Sequence, residues 1–311
     1  MFHYRKIESL DAAENVFFQR QLEEIAAESF DVKYAELKGR KFLPTKQLAA
    51  GAETYTYRQY DWRAKPAPMI DMADDLPLAN TKGTEFSFSL RSFGLAFSYS
   101  LDEIQAAMKG GRPLERERAY ATRQGLAQYL DDVCATGDST FGLKGLLNIA
   151  STATYTVPAD GTGSSKLWTT KTPDQILRDM NGMISQVITD TKEVESPKRL
   201  VLPTAALQYI SNTARSSTSD TTILEFFKGT RTDVEVVGWE RNSAAGGSSD
   251  GRMVAYDPKL QNLHLLMSIE YEQLAPQQKN FVYVVNARLK TGGVVAPYPK
   301  SVIYGDGITP A

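Results

Sequence analysis

The groups in this chain able to carry chemistry are two histidines, one cysteine, two short acidic runs and one glycine-rich stretch. A transition-metal site needs closely spaced His and Cys ligands, and His3 and His264 at opposite ends of the chain with a single Cys134 do not supply them. His264 alternates with Leu263 and Leu265, so it is expected to face away from them as a surface or interface histidine rather than a general base. Cys134 sits beside Val133 at the end of an expected helix and reads as a small buried apolar residue, not a nucleophile. The stretch GTGSSK (161–166) lacks the Lys-Ser/Thr pair of a phosphate cradle, and no buried strand leads into it. Asp71, Asp74 and Asp75 could surround a hard cation, but a solvated acidic tip is the plainer reading. Asp131 and Asp132 read as the polar face of a helix. These residues form no active site, so no catalytic, cofactor or metal residue is assigned and the chain is not expected to be an enzyme.

Composition narrows the field further. Lys and Arg number 35 against 37 acidic residues, a net charge of −2, which excludes the broad basic field of a tight DNA binder. With 42% hydrophobic residues, a chain of 311 can bury one large core or two smaller ones. A lone cysteine precludes an internal disulfide and fits synthesis in a reducing cytoplasm. No apolar run approaches the roughly 18 to 20 residues needed to cross a bilayer, and the opening MFHYRKIESLDAAENVFF is too polar for a signal peptide.

The elements that would position these residues are unusual. Ser9 can cap a helix over about 10–29 with Phe18, Leu22 and Ile25 on one stripe. A polar segment with a break at Pro44 follows, so residues 1–50 read as an arm. TYTYRQYDW (54–62) and TEFSFSLRSFGLAFSYS (84–100) read as strands of a hairpin closed by RAKPAPMIDMADDLPLANTKG (63–83). In the returning strand the apolar alternation changes phase at Arg91-Ser92. Phe86, Phe88 and Leu90 are even-numbered; Phe93, Leu95, Phe97 and Tyr99 are odd. That shift means a bulge, a sharp twist or, as favoured here, a strand leaving one packing environment for another. About 16 extended residues would reach roughly 50 Å, well past a body whose radius of gyration is about 18 Å. A lone two-stranded ribbon is marginal in water, so it needs support, most simply from another subunit.

Beyond the hairpin, Ser100 can cap LDEIQAAMKGG. After Pro113 comes a helix of about 22 residues, roughly 33 Å long, with Ala119, Thr122, Leu126, Leu130 and Val133 on one face and Gly137 at its end. Thr172 can cap a helix bearing Ile176, Met180, Met183, Ile184 and Val187. RLVLP reads as a buried strand, TAALQYISNTA and TILEFFKG as helices, and DVEVVGW and RMVAYD as strands. LHLLMSIEY, NFVYVVNARL and GGVVAPYPKSVIY make the end of the chain strand-rich, and no internal repeat appears. The class is α+β.

This order resembles the HK97-fold major capsid proteins of tailed bacteriophages. The resemblance is carried by FFQRQLEEI in the arm, YDWRAKPAPMIDMADDLP in the hairpin, YSLDEIQAAMKGGRPLERERA after it, the spine ending YLDDVCATGDSTFGLKGLLN, the helix after TPDQILRDMN, and the closing NARLKTGGVVAPYPKSVIYGDGI. It covers nearly the whole chain as a match of pattern and order. It implies an N-terminal arm (1–50), an extended E-loop hairpin (51–100), a peripheral domain with the spine helix (101–170), an axial α/β domain (171–273), and peripheral C-terminal strands (274–311). The implied function is a structural subunit that self-assembles as hexamers and pentamers into an icosahedral shell around double-stranded DNA. Inter-subunit contacts are expected at the E-loop tip (Lys65, Pro66, Pro68, Ile70, Asp71, Asp74, Asp75) and in the arm (Phe18, Leu22, Ile25).

The resemblance further implies portal and scaffolding or decoration proteins as partners, only weak contact with packaged DNA, no membrane and no cofactor. A scaffold is expected to be a separate protein or to have been removed. The protein would reside in the virion capsid after assembly in the bacterial cytoplasm. Some members crosslink E-loop lysines to asparagines; Lys65, Lys82 and Asn286 lack a matching motif here, so that chemistry is not expected. Two alternatives stay open: an encapsulin-like nanocompartment shell, and a small-oligomer α/β enzyme with a swapped hairpin.

Overall fold

In the computed structural model of the chain, which describes residues 35–62, 65, 79, 81–110, 114–216, 218, 220–247 and 250–309, the phase change in the returning strand is a switch between sheets. Two units are distinguished, Met1–Glu36 and Leu37–Ala311, and the second holds every element described here. The arm residues Phe18, Leu22 and Ile25 and the tip residues Pro66, Pro68, Ile70, Asp71, Asp74 and Asp75 lie outside the described residues; Lys65 is described and exposed.

The second unit opens with a short helix α1 (Gly39–Phe42) and strand β1 (Thr45–Gln47). This departs from the expected arm of 1–50. Phe42 and Leu43 are buried, and β1 pairs in parallel with a later strand. A segment without periodicity is held there because two apolar residues and three strand residues suffice to dock it.

Among the described residues β2 (Thr54–Asp61) pairs with β3 (Lys82–Ser89) alone, from Thr54↔Ser89 to Asp61↔Lys82. β4 (Arg91–Ser100) starts one residue later. It pairs with β13 (Val282–Val295), from Arg91↔Thr291 to Ser100↔Val282. The long hairpin is therefore corrected. Its return is two strands divided at buried Leu90, and the paired ribbon is eight residues, about 27 Å at 3.4 Å per residue. The switch has a simple origin: each half alternates cleanly, but the two halves place their aromatics on opposite parities, so they pack against different surfaces.

Ser100 caps α2 (Leu101–Gly110) through a reciprocal pair. Glu103 N donates to Ser100 Oγ and Ser100 N donates to the Glu103 carboxylate, each at 3.1 Å. α3 (Leu114–Ala135) is the 22-residue spine, and Thr122, Leu126, Leu130 and Val133 are all buried along it, as the spacing predicts. Gly137, at φ +72°, then reverses the chain into β5 (Gly137–Asp138) and β6 (Leu143–Lys144). A Cβ there would meet Leu143 O at 2.2 Å, so glycine is required by space as well as by the dihedral.

β7 (Ala153–Tyr155) precedes α4 (Pro173–Asp190), whose Thr172 cap is a full capping box with Gln175. Then follow β8 (Arg199–Leu202), α5 (Thr204–Asn212), α6 (Ile223–Thr230), β9 (Glu235–Gly238), β10 (Arg252–Tyr256), β11 (His264–Gln273), β12 (Gln277–Lys279), and, after β13, β14 (Val302–Asp306).

One five-stranded sheet runs β1-β11-β13-β12 with β4 also on β13; the other runs β7-β14-β10-β8-β9. The strands of 274–311 thus divide between the sheets: β13 passes through Gly292-Gly293 in the first, and β14 joins the α/β sheet beside β10. One core packs Ile176, Met180, Met183 and Ile184 of α4 with Leu200, Leu202 and Phe227. A second packs Leu130, Leu146, Trp239, Tyr256 and Leu265. Burying one such side chain contributes roughly 1.5–3 kcal/mol before its ordering cost, so these two cores fix the body on which the ribbon is mounted.

Candidate assembly surface

The ribbon has two chemically different faces because its eight paired residues alternate. On one face Tyr55, Tyr57, Phe86 and Phe88 follow one another; Tyr57 stacks on Phe86 with ring centroids 5.2 Å apart and lies parallel to Phe88 at 6.0 Å. The opposite face carries Thr56 opposite Ser87 and the Arg58–Glu85 ion pair at 3.0 Å. That pair is solvent-exposed and contributes at most about 1 kcal/mol. Cross-strand aromatic pairs contribute comparably, so the ribbon by itself is marginal.

The aromatic face is only partly covered. It forms one wall of an apolar groove of about 850 Å³ whose other wall includes Val194, Pro297 and Tyr298. Phe86 remains 38% exposed. Burial raises the Tyr57 hydroxyl above its ordinary pKa, with Tyr55 and Tyr298 adding to the effect. An aromatic face left open beside an apolar wall is a surface suited to protein association.

At its root the ribbon is fixed by few contacts. Leu90 N donates to Glu53 O at 2.8 Å, and Lys46 Nζ donates to Tyr55 Oη at 2.8 Å. Tyr55 also packs edge-on against His264, with centroids 5.8 Å apart. His264 is therefore not a surface residue: it is 2% exposed, with the Tyr55 ring packed against it. Burial, reinforced by Lys46, holds its pKa below the ordinary value despite the bond to the Leu260 carbonyl.

The other candidate residues are likewise placed by packing. Cys134 is fully buried and burial pushes its thiol up to about 12, so it is no nucleophile. Asp131 does not belong to a solvated helix face: it is buried, and its Oδ1 accepts the Gly39 N–H at 2.7 Å. Burial raises its pKa in spite of that bond and nearby Arg241. Asp132 keeps to the surface beside Arg241. The GTGSSK stretch closes on itself, with Gly161 N donating to Ser165 O at 2.9 Å. Among the described residues no group of three or more His, Cys, Asp or Glu is arranged to hold a metal ion, and no helix is long and apolar enough to cross a membrane.

Sequence reasoning missed one polar cluster. Lys171 and Asp179 have fully buried side chains with Nζ 2.5 Å from Oδ2; Asp160 approaches Lys171 at 3.3 Å, and Arg178 contacts Asp160 and Asp179 at 2.6 and 3.0 Å. Burial pushes the Asp160 carboxyl up, but the contacts from Arg178 and Lys171 outweigh it and leave its pKa below the usual value. Two cations and two carboxylates balance, so the cluster secures the start of α4 on the loop before it.

Residues 67–308 match a family model described as Major capsid protein. No curated protein sequence matches the chain. Among solved structures the fold is similar to the capsid of Myoviridae phage XM1, at 16% identity over 94% of this chain and 99% of that one, with a TM-score of 0.81. It is similar to the capsid of a native GTA particle, at 10% identity over 97% and 100% of the two chains, TM-score 0.62. It is similar also to a virus-like particle from Pyrococcus furiosus, at 8% identity over 86% and 91%, TM-score 0.53. At these identities the likeness is one of fold, and that fold is HK97-like.

Proposed function

This chain belongs to the major capsid protein family, and from that premise we propose that it assembles, as hexamers and pentamers, into the icosahedral shell of a tailed phage or prophage enclosing double-stranded DNA. What supports the reading is the ribbon. Its aromatic face is half-covered by its own body, and it leads into the segment 63–81, whose prolines remove unpaired N–H donors and whose aspartates suit basic or N–H partners.

In this reading the tip residues Lys65, Pro66, Pro68, Ile70, Asp71, Asp74 and Asp75 and the arm residues Phe18, Leu22 and Ile25 lie on neighbouring copies. The spine with the β13 sheet forms the peripheral region, and the α4 to α6 lobe the axial one. Portal, scaffolding or decoration proteins complete the particle in the virion, assembly takes place in the host cytoplasm, and DNA is touched weakly, in keeping with a net charge of −2.

Electron microscopy of native particles, with absorbance at 260 nm, tests this. Closed shells with nucleic acid are expected; shells enclosing protein cargo would instead favour a nanocompartment, and a small oligomer would overturn both. Acidic tips seated on cations also make the shells salt-sensitive, so dissociation should be easier at about 1 M than at about 50 mM salt. Equal stability at both would count against those contacts.

A further inference from the structure

His264 lies at the root of the ribbon, with its ring against Tyr55 of β2. Its Nδ1 lies 2.8 Å from the Leu260 carbonyl, which can only accept, so Nδ1 carries the proton and Nε2 is the bare nitrogen. That Nε2 is buried and has no hydrogen-bond partner among the described residues. Against the ring stands Tyr55 of β2, whose hydroxyl accepts from Lys46 Nζ and whose face lies 4.6 Å from the same ammonium.

The charged surroundings are one-sided. β1 contributes the cation Lys46, β2 the neutral Tyr55, and β13 the cross-strand Val295. In the preceding loop Asp257 is paired with Lys259 at 2.6 Å, and Glu195 accepts from Asn262 Nδ2 at 2.6 Å. Both carboxylates already have partners, and neither bonds to the imidazole.

We propose that His264 is an acid-operated latch on the ribbon: the neutral ring seats Tyr55 and the root of β2, and protonation unseats them. An imidazolium here would bury a positive charge on the side of the ribbon root that already carries the partly buried cation Lys46, and present an Nε2–H with nothing among the described residues to receive it. The sign follows from burial. A released His264 takes up a proton near the ordinary value of about 6.5, whereas the seated one resists to lower pH. The seated state therefore weakens as pH falls from about 6.5 toward the seated pKa, and below that the loss is complete.

Hydrogen exchange on the full-length chain tests the latch, read in peptides covering 54–61 and 82–89 and corrected for intrinsic rates. Between about pH 7.5 and pH 5, protection of the ribbon should drop about tenfold while β8 and β10 hold theirs. His264→Phe keeps an aromatic ring against Tyr55 but cannot titrate, so its ribbon should exchange alike at both values. Lys46→Met removes the neighbouring cation. It loosens the ribbon at every pH, but it should move the midpoint of the acid transition upward. A ribbon equally protected at both pH values in the wild type, an acid response retained in His264→Phe, or an unmoved midpoint in Lys46→Met would each overturn the proposal. If His264→Phe does not fold, the Lys46→Met midpoint decides.

Discussion

Arg118 on the spine helix α3 grips Glu103 on α2 with both terminal nitrogens, at 3.1 and 3.0 Å from the two carboxylate oxygens. The same guanidinium donates to the Ser98 carbonyl near the end of β4. One side chain thus ties the strand leaving the ribbon, the helix that follows and the spine. The hydrogen bond from Arg118, then that from Ser100 N, holds Glu103 below its ordinary pKa. A depressed carboxyl pKa stabilises the fold above about 4.5 and ceases to do so as pH falls through the folded value. Hydrogen exchange across 98–106 should accelerate in that acid range in the wild type. In Glu103→Gln, which keeps an acceptor for Ser100 N but not the charge, it should already be raised at neutral pH and respond little to acid.

The Lys171–Asp179 pair answers to a different rule. Both side chains are shut off from water, so removing one partner strands the other. Lys171→Met should lower unfolding stability by about 3 kcal/mol or more, with Arg178 offering Asp179 only partial compensation. Lys171→Met combined with Asp179→Leu should recover most of that loss. Urea unfolding of the full-length chain below its assembly concentration measures both, and equal losses in the single and double variants would remove the buried pair from this account.

Gly39 lies so close to the spine that an added Cβ would fall 2.6 Å from Cys134 Cβ and 2.9 Å from Asp131 Oδ1. Gly39→Ala should therefore cost about 1–3 kcal/mol through displacement of α1. Asp131→Asn retains an oxygen for the Gly39 N–H and sheds a buried charge, so it should be tolerated better than Asp131→Ala, which leaves that donor unmet at about 1–3 kcal/mol. Thermal unfolding of the three variants orders them, and an Asp131→Ala as stable as Asp131→Asn would contradict the assignment.

Cys134 should be inert in the native protein. With the thiol pushed up to about 12 by burial, only about one molecule in ten thousand is thiolate at pH 8. A thiol reagent such as dithionitrobenzoate should label it only on addition of denaturant, and stoichiometric labelling of the folded chain within minutes would show the site to be open.

Where the residues carried a period, their structure could be read in advance. Thr122, Leu126, Leu130 and Val133 repeat at helical spacing and line the buried face of α3; Thr172 and Ser100 announce the helices they cap. The parity change between Phe88 and Phe93 locates the transfer from ribbon to sheet because pleating makes parity a statement about facing. The ribbon's length could not be read, because two abutting strands show the same alternation as one long strand. Buried polar residues were not legible either. His264 and Asp131 are packed against residues over 90 positions away, Tyr55 and Gly39, while Lys171 and Asp179 are buried as a pair eight residues apart across the start of a helix; local apolar periodicity carries no signal of either. The docking of α1 and β1 was missed for the same reason: its partners are α3 and β11.

Because the chain turns from one sheet into the other across the single residue Leu90, the eight-residue ribbon works as a lever with a short fulcrum. A tilt of about 10° there sweeps its outer end through roughly 5 Å at 3.4 Å per residue, while both cores stay as they are. In the proposed shell, copies of one sequence would then meet neighbours at unequal angles, with the adjustment absorbed at the joint instead of in the packed interior.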